Sequence, residues 1–156
     1  MSSLVAYFSA TGTTARAATR LAQAIGADLF EIVPKRPYSA ADLNWNDKSS
    51  RSSVEMADES CRPAIASLVD NMDDYDTVYV GFPVWWYVEP HIVDTFLEAH
   101  DLAGKTVVPF ATSGGSGLGR APQRMAELAP GARVAEGRML NGNPGLDELR
   151  DWAASL

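Results

Sequence analysis

The sequence contains few of the side chains that form disulfides or bind metals, with one cysteine and two histidines in 156 residues. A lone Cys61 cannot form a disulfide within the chain, and it belongs to no CxxC motif. His91 and His100 form no recognisable metal-ligand pattern. We therefore predict no metal site, and the lack of an internal disulfide favours a reducing compartment, the cytoplasm.

Long apolar runs and an excess of positive charge are also missing. No run approaches the ~20 apolar residues that cross a bilayer, and the N-terminus lacks the basic and apolar regions of a secretory signal. Lys and Arg number 13 against 20 Asp and Glu, which gives a net charge of −7. We therefore expect no membrane association and no nucleic-acid binding, because the latter requires a basic face. The length fits a single domain over residues 1–156.

What the sequence does have is a regular alternation of strand and helix patterns. The predicted strands cover residues 4–8, 28–33, 77–83, 105–110 and 133–139. Segments with helical periodicity lie between them, and one of these opens with the S-x-x-E capping box at 52–55. Strands that alternate with helices pair in parallel through right-handed crossovers, so we predict an α/β fold with a three-layer, doubly wound sheet of five parallel strands.

A hydroxyl-rich turn joins the first strand to the first helix. It consists of Ser9, Ala10, Thr11, Gly12, Thr13 and Thr14. The first N–H groups of a helix lack intrahelical partners and carry partial positive charge, so together with the hydroxyls they can bind a phosphate without a cation. The turn lacks the lysine of a nucleoside-triphosphate loop and the three glycines of a dinucleotide loop, which favours a terminal phosphomonoester. The alternative is that these hydroxyls only cap the helix.

Large aromatic side chains cluster after the third strand. The segment is Pro83, Val84, Trp85, Trp86 and Tyr87. A loop cannot easily bury three consecutive large aromatics, so at least one is expected to stack on a planar ring. The alternative is a protein interface, where exposed Trp and Tyr side chains are common.

A glycine-rich loop follows the fourth strand. Its candidate site residues are Thr112, Ser113, Gly114, Gly115, Ser116 and Gly119. The small side chains leave the backbone N–H groups open to the polar edge of a ring. The loop is neither a G-x-S-x-G nucleophile elbow nor a GxGxxG loop, because Leu118 and Arg120 stand where those motifs require glycine.

Together these segments resemble the flavodoxin family. The match rests on Ser-x-Thr-Gly-Thr-Thr at 9–14, Pro-Val-Trp-Trp at 83–86 and Thr-Ser-Gly-Gly-Ser-Gly at 112–117, and it extends over essentially the whole chain. The resemblance implies the strand order 2-1-3-4-5, in which strands one, three and four are neighbours whose loops meet at one edge. It also implies FMN as the cofactor, with the phosphate at 9–14 and the ring between the two later loops.

Tyr87 departs from the pattern of this branch, in which a glycine usually follows the two tryptophans. In flavodoxins a peptide of this loop turns its carbonyl toward the reduced ring, and glycine makes the positive φ nearly free. If the turn occurs at this peptide, we expect Tyr87 to weaken the one-electron-reduced state. The long polar loop over 38–50 carries Tyr38 and Trp45, which are expected either to lie over the ring or to attach the loop to the body.

The resemblance favours an FMN-binding redox protein that transfers electrons through the flavin. No side-chain acid or base is then required, so we predict no catalytic residues. The expected partner is a redox protein or a small electron acceptor. The alternative is an FMN-dependent NAD(P)H:quinone-type oxidoreductase, which needs room for substrate beside the ring. A third possibility is a flavin-free interaction module that uses the tryptophans as its contact surface. The sequence indicates no oligomeric state.

Overall fold

The computed structural model describes residues 2–156, which form a parallel β-sheet with helices on both faces. The strands are β1 Ser2–Tyr7, β2 Asp28–Glu31, β3 Tyr75–Pro83, β4 Thr106–Thr112, β5 Arg133–Val134 and β6 Arg138–Met139. The α-helices are α1 Thr13–Ile25, α2 Arg51–Ala57, α3 His91–Ala99, α4 Ala121–Leu128 and α5 Leu146–Ala154. A 3₁₀ turn, Met72–Asp74, precedes β3. Among the described residues, no helix is long and apolar enough to cross a membrane.

The strands lie in the order β2-β1-β3-β4-β5, and all their pairings are parallel. The predicted α/β fold and strand order are therefore confirmed. At the centre of the sheet, Tyr7 of β1 lies opposite Gly81, and Pro83 lies opposite Thr112 of β4. The loops that follow β1, β3 and β4 consequently leave the sheet at the same edge.

The fifth strand position differs from the prediction of one continuous strand over 133–139. Both β5 and β6 pair with β4, and their registers against it differ by one residue, so the sheet has six strands at five positions. Pro109 of β4 lies opposite the gap between these two short strands, and it has no backbone N–H to donate to the hydrogen-bond ladder. Gly137 has a φ of 79° and packs so tightly there that a Cβ would lie 2.3 Å from the Pro109 carbonyl oxygen. The edge strand therefore bulges instead of pairing continuously.

Two buried apolar clusters lie on opposite faces of the sheet and give the fold its three layers. The cluster against α3 and α4 includes Phe8, Val80, Phe96, Val107 and Met125. The cluster against α1 and α5 includes Val5, Leu21, Tyr79, Phe110 and Leu149. Successive strand residues alternate between the two clusters because side chains in a strand point to opposite faces.

The predicted capping box lies two residues away from the true start of α2. Ser50 is the N-cap of this helix, and its hydroxyl accepts a hydrogen bond from the Ser53 N–H at 3.4 Å. Glu55 does not cap the helix. It accepts hydrogen bonds instead from Arg51, one turn earlier on the same helix, and from Tyr38 of the loop over 38–50.

Candidate functional site

The loops that follow β1, β3 and β4 line one cavity of about 480 Å³ at the carboxyl edge of the sheet. The predicted site residues in its wall are Ala10, Thr11 and Thr13, then Pro83, Val84 and Trp85, and finally Thr112, Ser113 and Gly114. Leu43 and Trp45, from the loop over 38–50, complete the wall. The structure thus brings together parts of all three segments that the sequence singles out.

The turn before α1 is shaped by the Ser9 hydroxyl. Its oxygen accepts hydrogen bonds from the N–H groups of Gly12 and Ala15, at 3.1 and 3.2 Å. Gly12 has a φ of 95°, a conformation that costs a glycine little. The N–H groups of Thr13 and Thr14 are the first of the helix and have no intrahelical acceptor. This end of α1 can therefore receive an anion.

The Thr14 side chain is hydrogen-bonded to a residue of a different strand. It is buried, and its hydroxyl shares a 2.8 Å hydrogen bond with the hydroxyl of Thr112. The bond ties the turn after β1 to the end of β4. The Thr14 hydroxyl is therefore engaged with a neighbouring strand, whereas the backbone N–H of this residue has no intrahelical acceptor.

The Trp85 indole is held in place by two other rings. Its centroid lies 5.7 Å from that of Phe8 and 5.5 Å from that of Tyr38, and both contacts are edge-on. Edge-to-face packing is a favoured aromatic geometry and contributes beyond the area that it buries. Trp85 is thus a rigid part of the wall.

The two aromatic side chains of the loop over 38–50, Tyr38 and Trp45, lie in different surroundings. The Tyr38 hydroxyl donates to Glu55 at 2.5 Å, and the Arg51 guanidinium lies 3.8 Å from the ring centroid. Burial, the Glu55 hydrogen bond and the Glu55 charge raise the pKa of Tyr38 far above its usual range, so it stays a donor. Tyr38 therefore attaches the loop, whereas Trp45 is 71% exposed and lines the cavity.

A second cavity, of about 370 Å³, adjoins the first. Leu43, Trp45, Val84 and Trp85 line both cavities. Ser52, Trp86 and Tyr87 line only the second. The structure therefore places Trp85 in the wall of the first cavity, beside the hydroxyl-rich turn, and places Trp86 and Tyr87 only in the wall of the second cavity.

Trp86 and Tyr87 occupy the two central positions of a tight turn. Trp85 and Val88 close it by exchanging two backbone hydrogen bonds, of 3.0 and 3.2 Å. Both central residues have a positive φ, 50° for Trp86 and 66° for Tyr87. Tyr87 thus already has the left-handed conformation for which a glycine is usually needed, at a cost of about 1–2 kcal/mol. The expected effect on flavin reduction stays a prediction.

The glycine-rich loop is largely bonded within itself and to a neighbouring loop. The Ser113 N–H donates to Asn141 Oδ1 at 2.9 Å, and its hydroxyl accepts from the Gly115 N–H at 3.2 Å. The same hydroxyl donates to the Ser116 carbonyl. Gly115 and Ser116 therefore shape the loop without lining either cavity, and Gly114 is the glycine that reaches the wall.

Gly119 lies against the aromatic turn. A Cβ at this position would be 2.1 Å from the Tyr87 carbonyl oxygen, and its φ is 56°. That carbonyl accepts a hydrogen bond from the Arg120 N–H at 3.3 Å. Gly119 is therefore required by both space and conformation, and it joins the loop after β4 to the loop after β3.

The sequence does not reveal a buried ionic cluster next to this turn. Glu89 and Asp94 are completely buried, and Arg124 donates to them at 3.2 and 2.9 Å. Arg62 reaches Asp94 from the surface, at 3.8 Å. Among the described residues, one oxygen of each carboxyl group and Nδ1 of His91 have no hydrogen-bond partner. A buried group without a partner costs about 1–3 kcal/mol.

A proton on Glu89 removes much of this cost. Burial, assisted by a hydrogen bond to Asp94 and by the charge of Asp94, raises the pKa of Glu89 to about 9, against the opposing effect of Arg124. A protonated carboxyl can donate to a carboxylate, which supplies a partner for both free oxygens. Burial also lowers the pKa of His91, so the imidazole stays neutral near pH 7.

We predict that Tyr87→Gly raises the free energy of unfolding by up to about 1 kcal/mol. Relief of the positive φ outweighs the greater chain entropy of glycine in the unfolded state. The control is Trp45→Gly, which removes an equally exposed aromatic (71%) from a residue without positive φ and is expected to destabilise the protein. Urea unfolding measures both, and equal losses would contradict the proposed strain.

The cluster also predicts how stability depends on pH. Glu89 keeps its proton in the folded state up to about pH 9, whereas in the unfolded chain it ionises near 4.5. The folded state therefore binds more protons between these values, and its stability falls as pH rises through this window. Glu89→Gln should flatten the fall in urea unfolding at pH 5, 7 and 9, whereas Asp73→Asn, at an exposed acid, should not. An unchanged slope in Glu89→Gln would refute the assignment.

Proteins with solved structures resemble this chain in both sequence and fold. No curated protein matches the chain. Among solved structures, a candidate flavoprotein from Bacteroides eggerthii is 52% identical, with a TM-score of 0.94 over 99% of this chain and 96% of that one. A second candidate flavoprotein, from Bacteroides uniformis, is 50% identical, with a TM-score of 0.92 over 98% of this chain and 97% of that one.

A more distant match is a flavoprotein from Lactobacillus acidophilus, solved in complex with FMN. It is 23% identical, with a TM-score of 0.72 over 88% of this chain and 91% of that one, which shows a shared fold. The family model described as flavodoxin matches residues 2–156. The chain therefore belongs to the flavodoxin family.

Proposed function

We propose that this protein binds FMN in the first cavity and transfers electrons through it. The observation that carries the proposal is the convergence of three loops on one cavity, with an anion-binding helix start at one end and an aromatic wall at the other. Its volume of about 480 Å³ lies within the range of roughly 300–1,000 Å³ for small-molecule pockets. The flavoprotein of the same fold that was solved with FMN supports this choice of ligand.

The phosphate end fits a dianion bound mainly by backbone N–H and hydroxyl groups. The N–H groups of Thr13 and Thr14 are the helical donors, and the exposed hydroxyls of Thr11 and Thr13 stand beside them. Ser9 acts indirectly, since its hydroxyl holds the turn by bonding Gly12 and Ala15. Hydrogen bonds to an ionised acceptor are about twice as strong as neutral ones. The Arg16 guanidinium is a cation next to this turn, since its Nη1 lies 3.9 Å from a Cβ built at Gly12.

The ring end fits a flat, partly apolar group. Pro83, Val84 and Trp85 provide one wall, and Trp45 provides another. Gly114 offers backbone at the remaining edge without a side chain in the way, because nothing lies within 4 Å of a Cβ built there. These residues bind and orient the ring and exclude water from it.

FMN would supply the electron chemistry when bound, so no side-chain acid or base is assigned a catalytic role. The partner we propose is a redox protein or a small electron acceptor, in the reducing cytoplasm that the free Cys61 favours. A second candidate function is an FMN-dependent NAD(P)H oxidoreductase. The adjoining cavity of about 370 Å³ favours it, because a substrate needs room beside the ring.

The phosphate assignment predicts a difference between FMN and riboflavin. Thr11→Ala and Thr13→Ala should each weaken FMN binding by about tenfold, the effect of losing one hydrogen bond to a charged group. Riboflavin binding should be unaffected, because riboflavin has no phosphate. Quenching of flavin fluorescence measures both dissociation constants.

Thr19→Ala provides the matched control. Thr19 lies on the same helix, and its hydroxyl donates to the Ala15 carbonyl, away from the cavity. FMN binding should survive this change. Equal losses for FMN and riboflavin would show that the turn does not hold the phosphate, and no retention of FMN by the wild-type protein would overturn the proposed function.

Anaerobic reduction separates the two candidate functions. For a carrier, dithionite bleaches the flavin absorbance, whereas NADH or NADPH alone leaves it unchanged over minutes. For an oxidoreductase, one of these nucleotides bleaches it rapidly. Because neither cavity is lined by a charged side chain that could hold a pyrophosphate, we expect the first result.

A further inference from the structure

We propose that Arg16 makes this site selective for the phosphorylated flavin, because its guanidinium pairs with the phosphate dianion. The inference rests on the proposed function, since it concerns a residue beside the turn that would hold the phosphate. Arg16 is the fourth residue of α1 and lines neither of the two cavities described above. Its full positive charge distinguishes it from the neutral N–H and hydroxyl donors of the turn, which by themselves predict a site without a cation.

The Arg16 side chain lies back over the turn before α1. Long side chains on a helix point toward its N-terminus and cover the turn that precedes their own Cα. Here the Nη1 atom lies 3.9 Å from the position that a Cβ would have on Gly12. The side chain is exposed, so water and ions can reach the guanidinium. A cation therefore borders the end of α1 that can receive an anion.

Arg16 has no ionic partner within the part of the chain that the structure describes. Over residues 2–156 it takes part in no salt bridge. Arg20, one turn later on α1, donates two hydrogen bonds to the Pro144 carbonyl, at 3.2 and 3.0 Å. Five other arginines form salt bridges with carboxylates: Arg51, Arg62, Arg124, Arg138 and Arg150. Arg16 is thus available to a ligand, whereas these six are already engaged.

The position of Arg16 is unfavourable as long as no anion is bound. The N-terminal end of a helix carries partial positive charge, so acids stabilise it and cations do not. Arg16 closes the first turn of α1, and that turn contains no acid. A bound dianion would offset both the guanidinium and the free N–H groups of the turn. The placement of Arg16 is therefore better explained by a bound anion than by the stability of the fold.

The surroundings of α1 also favour the approach of an anion. The protein as a whole has a net charge of −7 and repels phosphate. By contrast, α1 contains Arg16 and Arg20 and no acid. A third cavity, of about 550 Å³, lies along this helix, and its lining of Ala15, Arg16, Thr19, Arg20 and Asn143 contains no acid either. A phosphate that reaches the start of α1 therefore meets local positive charge, in a place open to salt.

Quenching of flavin fluorescence, with FMN and riboflavin added to the ligand-free protein, tests the inference. Arg16→Gln should bind FMN about fivefold to tenfold more weakly than the wild type, an effect between those of an exposed ion pair and a hydrogen bond to a charged group. Riboflavin should bind equally to both proteins, because it has no phosphate. The difference for FMN should shrink between about 0.01 M and about 1 M salt, as the Debye length falls from roughly 30 Å to 3 Å.

Three comparisons separate the charge of Arg16 from other effects. Arg16→Lys keeps the charge and should retain the salt dependence of FMN binding. Arg133→Gln removes an exposed arginine from the start of β5, at the opposite edge of the sheet, and should bind FMN like the wild type. In urea unfolding without ligand, Arg16→Gln should be no less stable than the wild type, because it removes a cation from a helix start. A loss of stability would assign Arg16 to the fold and contradict the inference.

The results also distinguish this inference from the proposed function. If the wild type binds FMN and Arg16→Gln binds it equally well, the role of Arg16 is wrong and FMN binding stands. Equal losses for FMN and riboflavin, or equal losses in Arg16→Gln and Arg133→Gln, would overturn the inference as well. A lost salt dependence in Arg16→Lys would show that charge is not the cause. Failure of the wild-type protein to bind FMN would instead be a failure of the proposed function.

Discussion

The parallel pairing of β3 with both β1 and β4 is the constraint on which the rest of the structure depends. Because the three strands run in the same direction, their loops leave the sheet together, and short loops suffice to enclose a ligand-sized space. The 2.8 Å bond between Thr14 and Thr112 then joins the turn after β1 to a strand two positions away. The site is thus assembled by the backbone order and fixed by a few side chains.

The start of α4 supports the aromatic turn at two points. The N–H of Arg120, just before the helix, donates a hydrogen bond to the Tyr87 carbonyl. One turn later, the Arg124 side chain donates a hydrogen bond to the Glu89 carboxyl group. The buried charges therefore lie behind the loop that borders both cavities, whereas the cavity walls themselves carry neutral groups. This division lets the walls remain apolar while the loop stays in one conformation.

Local patterns predicted most of the elements and singled out the three loops, because strand alternation and hydroxyl or glycine content are properties of short segments. That these loops meet followed from the strand order that the family resemblance implied. The outcome for single side chains was not predictable in the same way. Thr14 is engaged by Thr112, and the Ser113 N–H by Asn141, both through contacts between distant segments. Trp85 and Trp86 are adjacent and of one type, yet only Trp85 has Phe8 and Tyr38 to brace it.

The buried cluster was missed for a related reason. An isolated Glu89 in a loop is typical of a solvated surface, and its burial becomes possible only when Arg124 arrives from α4. The split of the fifth strand likewise depends on Pro109, whose missing N–H matters only to its neighbour in the sheet. Both features follow from partners that are remote in the sequence.

The two edges of the sheet bear on how copies of this protein behave when crowded together. One edge is β2, four residues long with the acids Asp28 and Glu31 at its ends and Pro34 soon after. The other is divided by the bulge at Gly137 into two strands of two residues, each with an arginine. Short, charged and interrupted edges offer a poor template for another chain's strand. The interruption at Gly137 therefore leaves this edge with too few consecutive free backbone groups to pair readily with a second copy.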